Sequence, residues 1–379
     1  MTVTLWKFTA LDTFFFRGAA PFNAGEGGQG GQASMFPPTM STLQGAIRYQ
    51  LAIGQGWQPN SALPIELGDS DDLGQLRLRG PYLFYNDDLL LPCPLLVIRR
   101  LQGHGMTTQV NYHRLAPGQK TVKCDLGTVN LPVMPPGLKG AKPMENYWLN
   151  TAAMNRVLAG GVPEARGAEP NYSGIYDNDQ LWKTEPKVGI GRDSGTRTAQ
   201  DKNLYAIKMI RPEKGLSIAV SVEGLGNEWI KPLKSKPRLV NLGGEGKLAS
   251  LEILKQFIRL PDLPELAIDK GKVRFTVSLI TPGYFGNREE TIDAVSGLKE
   301  WIKGECITAC VGKAIQVGGW DLAKHQPRPL KSYIPPGSTW FFEGDASQVD
   351  SIKEMHGSLI GKEESHPYGC GQILIGSWR

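Results

Sequence analysis

Asn203-Leu204-Tyr205-Ala206-Ile207-Lys208-Met209-Ile210, then Arg211-Pro212-Glu213-Lys214-Gly215, then Leu216-Ser217-Ile218-Ala219-Val220-Ser221-Val222-Glu223, is the stretch on which the fold class turns. Its first eight residues, rich in aliphatic and aromatic side chains, read as a strand. Pro212 to Gly215 carry turn chemistry. Beyond the turn, Leu216, Ile218, Val220 and Val222 alternate with Ser217, Ala219, Ser221 and Glu223 at the period of a strand. The pattern predicts a hairpin with one buried face. Antiparallel hairpins in a chain that also carries helical periodicity predict an α+β fold and argue against a doubly wound parallel sheet.

Outward from that stretch the same signals recur. Val273, Phe275, Val277 and Leu279 alternate in a further strand, and a last strand is placed near Gln372 to Trp378. Asn287 to Glu290 reads as a capping box, with Ile292, Val295, Leu298 and Ile302 as the buried stripe of the helix behind it. Upstream, residues 2–16 read as a first strand, followed by a glycine-rich loop from Gly18 to Ser34. A helix then starts at the capping box Ser41-Thr42-Leu43-Gln44. Leu43, Ala46, Ile47 and Leu51 form its buried stripe, Gln44 and Arg48 share the opposite face, and Gly54 ends it. Between 55 and 200 the strand-like pieces are Leu76 to Tyr85 and Leu89 to Ile98, among loops rich in proline, glycine and asparagine.

At 379 residues the chain has material for two domains, and its 46 glycines and 27 prolines lack a collagen-like period, which points to many turns and loops. The net charge of +5 comes from 42 basic and 37 acidic residues, split 18 to 16 over residues 1–200 and 24 to 21 over the remainder. A nucleic-acid site must therefore be a local patch. The five cysteines (Cys93, Cys124, Cys306, Cys310, Cys370) form no CxxC pair and no metal-ligand spacing, so a reducing cytoplasm is expected. Met1 to Phe8 lacks the basic start and apolar run of a secretory signal, and the longest apolar run is broken by Pro92 and Pro94. Neither export nor a membrane span is expected.

Two segments carry candidate chemistry. Gly25, Gly27, Gly28, Gly30 and Gly31 lie between a strand and a helix, where backbone amides approach phosphates closely. There is no GxxxxGK[ST], so a nucleotide P-loop is not supported, and a surface loop explains the glycines equally well. Lys187-Val188-Gly189-Ile190-Gly191-Arg192-Asp193-Ser194-Gly195-Thr196-Arg197-Thr198 combines cations, hydroxyls and exposed amides just before Tyr205. Such a loop contacts phosphates while a neighbouring aromatic stacks a base. The competing reading is a solvated loop with Tyr205 in the core. His104, His113, His325, His356 and His366 are scattered, so no metal site, cofactor or catalytic residue is expected. Ser365-His366-Pro367-Tyr368-Gly369-Cys370 sets a nucleophile beside a base, but the proline and the glycine read as a turn into the last strand.

The residues also carry a resemblance that spans nearly the whole chain. Asp12-Thr13-Phe14-Phe15-Phe16-Arg17 with Pro21-Phe22-Asn23-Ala24-Gly25 resembles the start of the subunit-three family of the Cmr complexes, RAMP-superfamily proteins of type III-B CRISPR effectors. Further blocks agree in order: Thr42 to Arg48, Lys187 to Ile190 with Arg192 and Thr196 to Thr198 before Leu204-Tyr205, and Leu242 to Ala249. Later come Gly319 to Ala323 with Pro327, Pro336 to Phe342, and Gly369, Gly371 and Trp378. Where that family tends to have Arg before the Pro-Phe pair, this chain has Ala20, so no basic contact is carried over there. The resemblance implies two ferredoxin-like modules of β-α-β-β-α-β units, here divided as 1–202 and 203–379. It implies a crRNA-binding subunit without nuclease activity that holds the 5′ tag of the guide and docks on the large polymerase-and-cyclase subunit and on the first backbone subunit. The RNA surface would combine Arg17, Gly25, Gly27, Gly28, Arg48, Lys187, Arg192, Arg197 and Tyr205. Two other classes stay open: a metal-independent endoribonuclease of the same superfamily that processes precursor guide RNA with a histidine base, and a hydrolase using Cys370 or Ser365.

Overall fold

In a computed structural model the residues described are 2–18, 32–103, 109–124, 127–164, 174–192, 195–196, 198–233, 238–321 and 325–378. Across them runs a mixed α/β fold with mostly antiparallel sheets and few helices. The chain divides into two units interleaved in sequence: Met1–Asp87, Asp179–Ile258 and Gln316–Lys331 make one, and Asp88–Asn178, Arg259–Ile315 and Ser332–Arg379 the other. A division at 202/203 therefore does not match the units; it falls inside the single strand Ala199–Pro212. Strands pair by the fit of their faces, so segments far apart in sequence close one core.

In the first unit, Thr4–Ala10 sits mid-sheet between Leu216–Glu223 and Leu248–Leu254, antiparallel to both. Arg77–Tyr85 flanks Leu216–Glu223 and Arg238–Asn241 flanks Leu248–Leu254, again antiparallel. Taking Thr4–Ala10, Arg77–Tyr85, Leu216–Glu223 and Leu248–Leu254 as strands one to four, their order across the sheet is four, one, three, two. The helix Met40–Gly54 lies between strands one and two in sequence, and the short helix Asn227–Ile230 between three and four.

This arrangement overturns the expected hairpin. Ala199–Pro212 pairs with Trp182–Arg192 and not with Leu216–Glu223. The turn still forms, with the Leu216 amide donating to the Glu213 carbonyl and the Glu213 amide to that of Leu181, but it carries the chain from one sheet into another. Nor does Leu216–Glu223 have one wet face: Ser217, Ala219 and Ser221 are buried along with Ile218, Val220 and Val222. A strand apolar enough to be buried on both faces belongs mid-sheet, and its small hydroxyls add little desolvation cost. The first helix also departs from expectation. It starts at Met40 behind Thr39, which makes no side-chain cap; Gln44 Nε2 donates to the Ser41 carbonyl instead of closing a capping box. Leu43, Ile47 and Leu51 are fully buried as expected.

In the second unit, Lys272–Leu279 lies between Ile373–Ser377 and Thr339–Asp345, and Glu305–Cys310 flanks the latter. All neighbours are antiparallel, and taken in sequence order these four strands repeat the order four, one, three, two. Their core gathers Val273, Phe275, Val277, Trp340, Phe342, Ile373 and Ile375 under Ala294, Leu298 and Ile302. The Asn287 capping box forms in both directions, at 3.0 and 2.7 Å. The helix ends at Gly297, because Leu298 turns left-handed at φ 50°, so Ile302 joins the core from beyond it. The apolar run at 89–98 splits at its prolines, which cannot donate to a ladder, into Asp88–Pro92 and Val97–Gln102. The second of these pairs with Gln109–Arg114 and Lys142–Pro143, and Ala116–Cys124 forms a hairpin with Gly127–Val133. Among the described residues no helix is long and apolar enough to cross a membrane.

His356 supplies a pH test of this unit. Its Nε2 donates to the Pro261 carbonyl at 2.9 Å and its Nδ1 accepts from the Ile375 amide at 3.1 Å, so the neutral ring is the one that fits. Burial pushes its pKa below the ordinary histidine range. The unfolded chain then takes up a proton that the folded one resists, so this stability is complete above the ordinary range and is lost as pH falls through it. Urea midpoints should drop between about pH 7.5 and 5.5 more steeply for the unaltered chain than for His356→Gln. Equal pH dependence in the two would remove His356 from this role.

Candidate nucleic-acid interface

The long antiparallel ribbon of Trp182–Arg192 and Ala199–Pro212 sets the geometry. Its second strand is joined in parallel by Gln32–Ala33, through Ile207 beside Gln32 and Lys208 beside Ala33. The segment Phe14 to Arg17 seals the base. Phe14 exchanges backbone hydrogen bonds with Ile210 at 2.7 and 2.9 Å, and Arg17 forms a backbone bridge with Ser34. Phe15 packs with Ile207 and Met209, and the rings of Phe14, Phe16, Phe36 and Trp182 follow one another at centroid distances of 5.0, 6.3 and 4.7 Å. Gly243 is required here: at φ 87° a Cβ would stand 2.5 Å from the Phe15 carbonyl oxygen, and the next amide, Gly244, donates to that oxygen at 2.8 Å.

Charge reinforces the joint. The Arg211 guanidinium grips both oxygens of Glu185 and, at 2.7 Å, one oxygen of Asp12. Those hydrogen bonds hold the Asp12 and Glu185 carboxyls below the usual carboxylate range and raise Arg211. All three groups are well exposed, so the network orients the ribbon more than it stabilises the fold.

Both segments singled out in the sequence thus leave one three-stranded sheet. Arg17 is exposed at one end of residues 19–31, and Lys187 is exposed on the ribbon opposite Ile207. The backbone of Arg192 closes the first strand and that of Tyr205 pairs with Gly189; their side chains, and all of Gly25, Gly27, Gly28 and Arg197, lie outside the described residues. Arg48 is not part of this surface. Its expected place on the exposed face of the helix is corrected: it is 7% exposed, with Nη2 donating to the Asp69 carbonyl at 2.6 Å and Nη1 to Gln44 at 3.1 Å. A buried guanidinium satisfied by a loop carbonyl pins that loop to the helix.

Lys208 belongs to the site and was missed. It is exposed and lines a groove with Ala33, Ser34, Thr184, Pro186 and Ile210, on the ribbon face opposite to Lys187. The alternation Ala206, Lys208, Ile210 was the available signal, masked by the assumption that this strand paired with Leu216–Glu223. Elsewhere, Ser365 is buried and donates to the Lys362 carbonyl at 2.6 Å, and Cys370 is buried in the approach to the last strand, so their adjacency in sequence builds no exposed nucleophile.

A mixed α/β protein of mostly antiparallel sheets, with a cationic ribbon set on an aromatic base, is the class this geometry defines. The chain belongs to the Cmr3 family of CRISPR-associated proteins, described as CRISPR-associated protein (Cas_Cmr3), which matches it over residues 6–378. It is 28% identical over 85 residues, 22% of its length, to the CRISPR system CMR subunit Cmr3 of Saccharolobus solfataricus, and the match spans 26% of that relative. In fold it is similar to a chain in the cryo-EM structure of the type III-B Cmr-beta bound to cognate target RNA, with TM-score 0.52, 16% identity, and 98% and 96% of the two chains covered.

Proposed function

We propose that this chain is a non-catalytic crRNA-binding subunit of a type III-B CRISPR effector complex, acting in the cytoplasm. It holds the 5′ tag of the guide and docks on the large polymerase-and-cyclase subunit and on the first backbone subunit. The observation that carries this reading is the convergence of two basic, glycine-rich segments on one sheet, in a chain of the Cmr3 family. The strand order four, one, three, two in each unit, with a helix after the first and third strands, supports two ferredoxin-like modules. Phosphates would meet Arg17, Lys187, Lys208, Arg192 and Arg197, and Tyr205 would stack a base.

Incubating the purified chain with labelled repeat RNA and divalent metal should give a bound complex and uncut RNA. Cleavage abolished by His113→Ala or His366→Ala would instead establish the metal-independent endoribonuclease. Co-expression with the other subunits should recover the chain with the large one, and a chain that elutes alone with and without guide RNA would remove the docking claim.

A further inference from the structure

The chain's positive charge is concentrated where neither candidate segment lies. Residues 97–143 hold 7 of the 42 lysines and arginines but 1 of the 37 aspartates and glutamates, and the rest of the chain, with 35 basic and 36 acidic residues, is close to neutral. Comparing halves of the sequence averaged this away. All of residues 97–143 belong to the second unit.

One of the seven is structural: Arg114 is buried and donates to the carbonyls of Val157 at 2.7 Å and Ser377 at 2.9 Å. The other six face outward to differing degrees. Lys120, Lys123, Lys139 and Lys142 are exposed, and Arg99 and Arg100 are half-buried. Across the three-stranded sheet, Arg99 stands in register between Tyr112 and Lys142, so the three share one face. The Arg99 guanidinium lies 4.9 Å from the centre of the Tyr147 ring, and Arg100 donates to the Gly137 carbonyl at 2.9 Å. Elsewhere Arg211, Lys7 and Lys362 each meet a carboxylate, whereas no described carboxylate pairs with any of these six. The segment's one acidic residue, Asp125, lies outside the described residues.

Six cations in so short a segment repel one another unless a polyanion lies across them. We propose that residues 97–143 form a second RNA-contacting surface that takes single-stranded RNA by its phosphate backbone, independently of sequence. RNA fits better than an acidic protein face, because the cations are interleaved with tyrosines and the stacked Arg99 plane, which suit bases as well as phosphates. The proposal rests on reading the chain as an RNA binder.

The test uses the full chain, a labelled oligouridine and fluorescence anisotropy. Changing Lys120, Lys123, Lys139 and Lys142 to glutamine should weaken binding at least about tenfold and lower the slope of log K against log salt by roughly 0.7 per lost contact, about 2 to 3 in all, between about 50 and 200 mM salt. The same four changed to arginine should bind as the unaltered chain does, and both variants should keep its urea midpoint. Unchanged affinity and slope in the glutamine variant would overturn this surface and leave the ribbon as the RNA site. Loss shared by the arginine variant would overturn the charge argument, and loss of polyglutamate binding alone would give the surface to an acidic protein. No binding of oligouridine by the unaltered chain would bring down the RNA reading itself.

Discussion

Trp340→Ala should lower the stability of the protein by about 3–5 kcal/mol, the largest effect expected of any single substitution discussed here. Trp340 lies in Thr339–Asp345, a strand paired on both edges, with none of its surface exposed. Its indole Nε1 donates to the Val295 carbonyl at 3.1 Å, tying the sheet to the helix Arg288–Gly297. Alanine would leave a cavity beside the stacked Phe275 and Phe342 rings, whose centroids are 5.3 Å apart, and would strand that carbonyl. Trp340→Phe, which keeps most of the volume but not the donor, should cost less. Urea denaturation followed by circular dichroism measures both, and a loss below about 1 kcal/mol for alanine would contradict the packing described.

Joining Lys187 to Ile207 through Asn-Gly should abolish most tag binding while leaving the fold intact. These two residues face each other across the ribbon, so a two-residue turn closes the remaining ladder. The excision keeps Ile207 and Met209 against Phe15 and keeps the Asp12, Arg211 and Glu185 network at the base. It removes Arg192, Arg197, Lys202 and Tyr205. Three lost phosphate contacts would flatten the salt slope by about 2. One lost base stack would remove a further 1–3 kcal/mol or so, which together weaken binding about tenfold or more. Titrating tagged guide RNA at several salt concentrations reads both quantities. Unchanged affinity and slope would leave residues 97–143 as the RNA surface.

The period of two in Lys272–Leu279 and Leu216–Glu223, the Asn287 capping box and the stripe Leu43, Ile47, Leu51 were all legible, because each is set by neighbours within a few residues. Pairing was not. Ala199–Pro212 has a plausible partner on either side in sequence, and local patterning cannot say which one it joins. Arg48 shows the same limit for side chains: helical spacing placed it on a wet face, and a carbonyl 21 residues away drew it inside.

The site divides in the same manner. Glycine, cation and aromatic content marked the segments 25–31 and 187–205, since phosphate contact demands those residue types wherever they lie. That the two segments leave one sheet depends on Gln32–Ala33 lying beside Ile207 and Lys208, more than 170 residues away. Composition and short-range periodicity, which are properties of covalent neighbours, determined the elements and the kinds of side chain available. Only the tertiary structure decided which strands share a sheet and which charges share a face, because those follow from burying complementary surfaces brought together from distant parts of the chain.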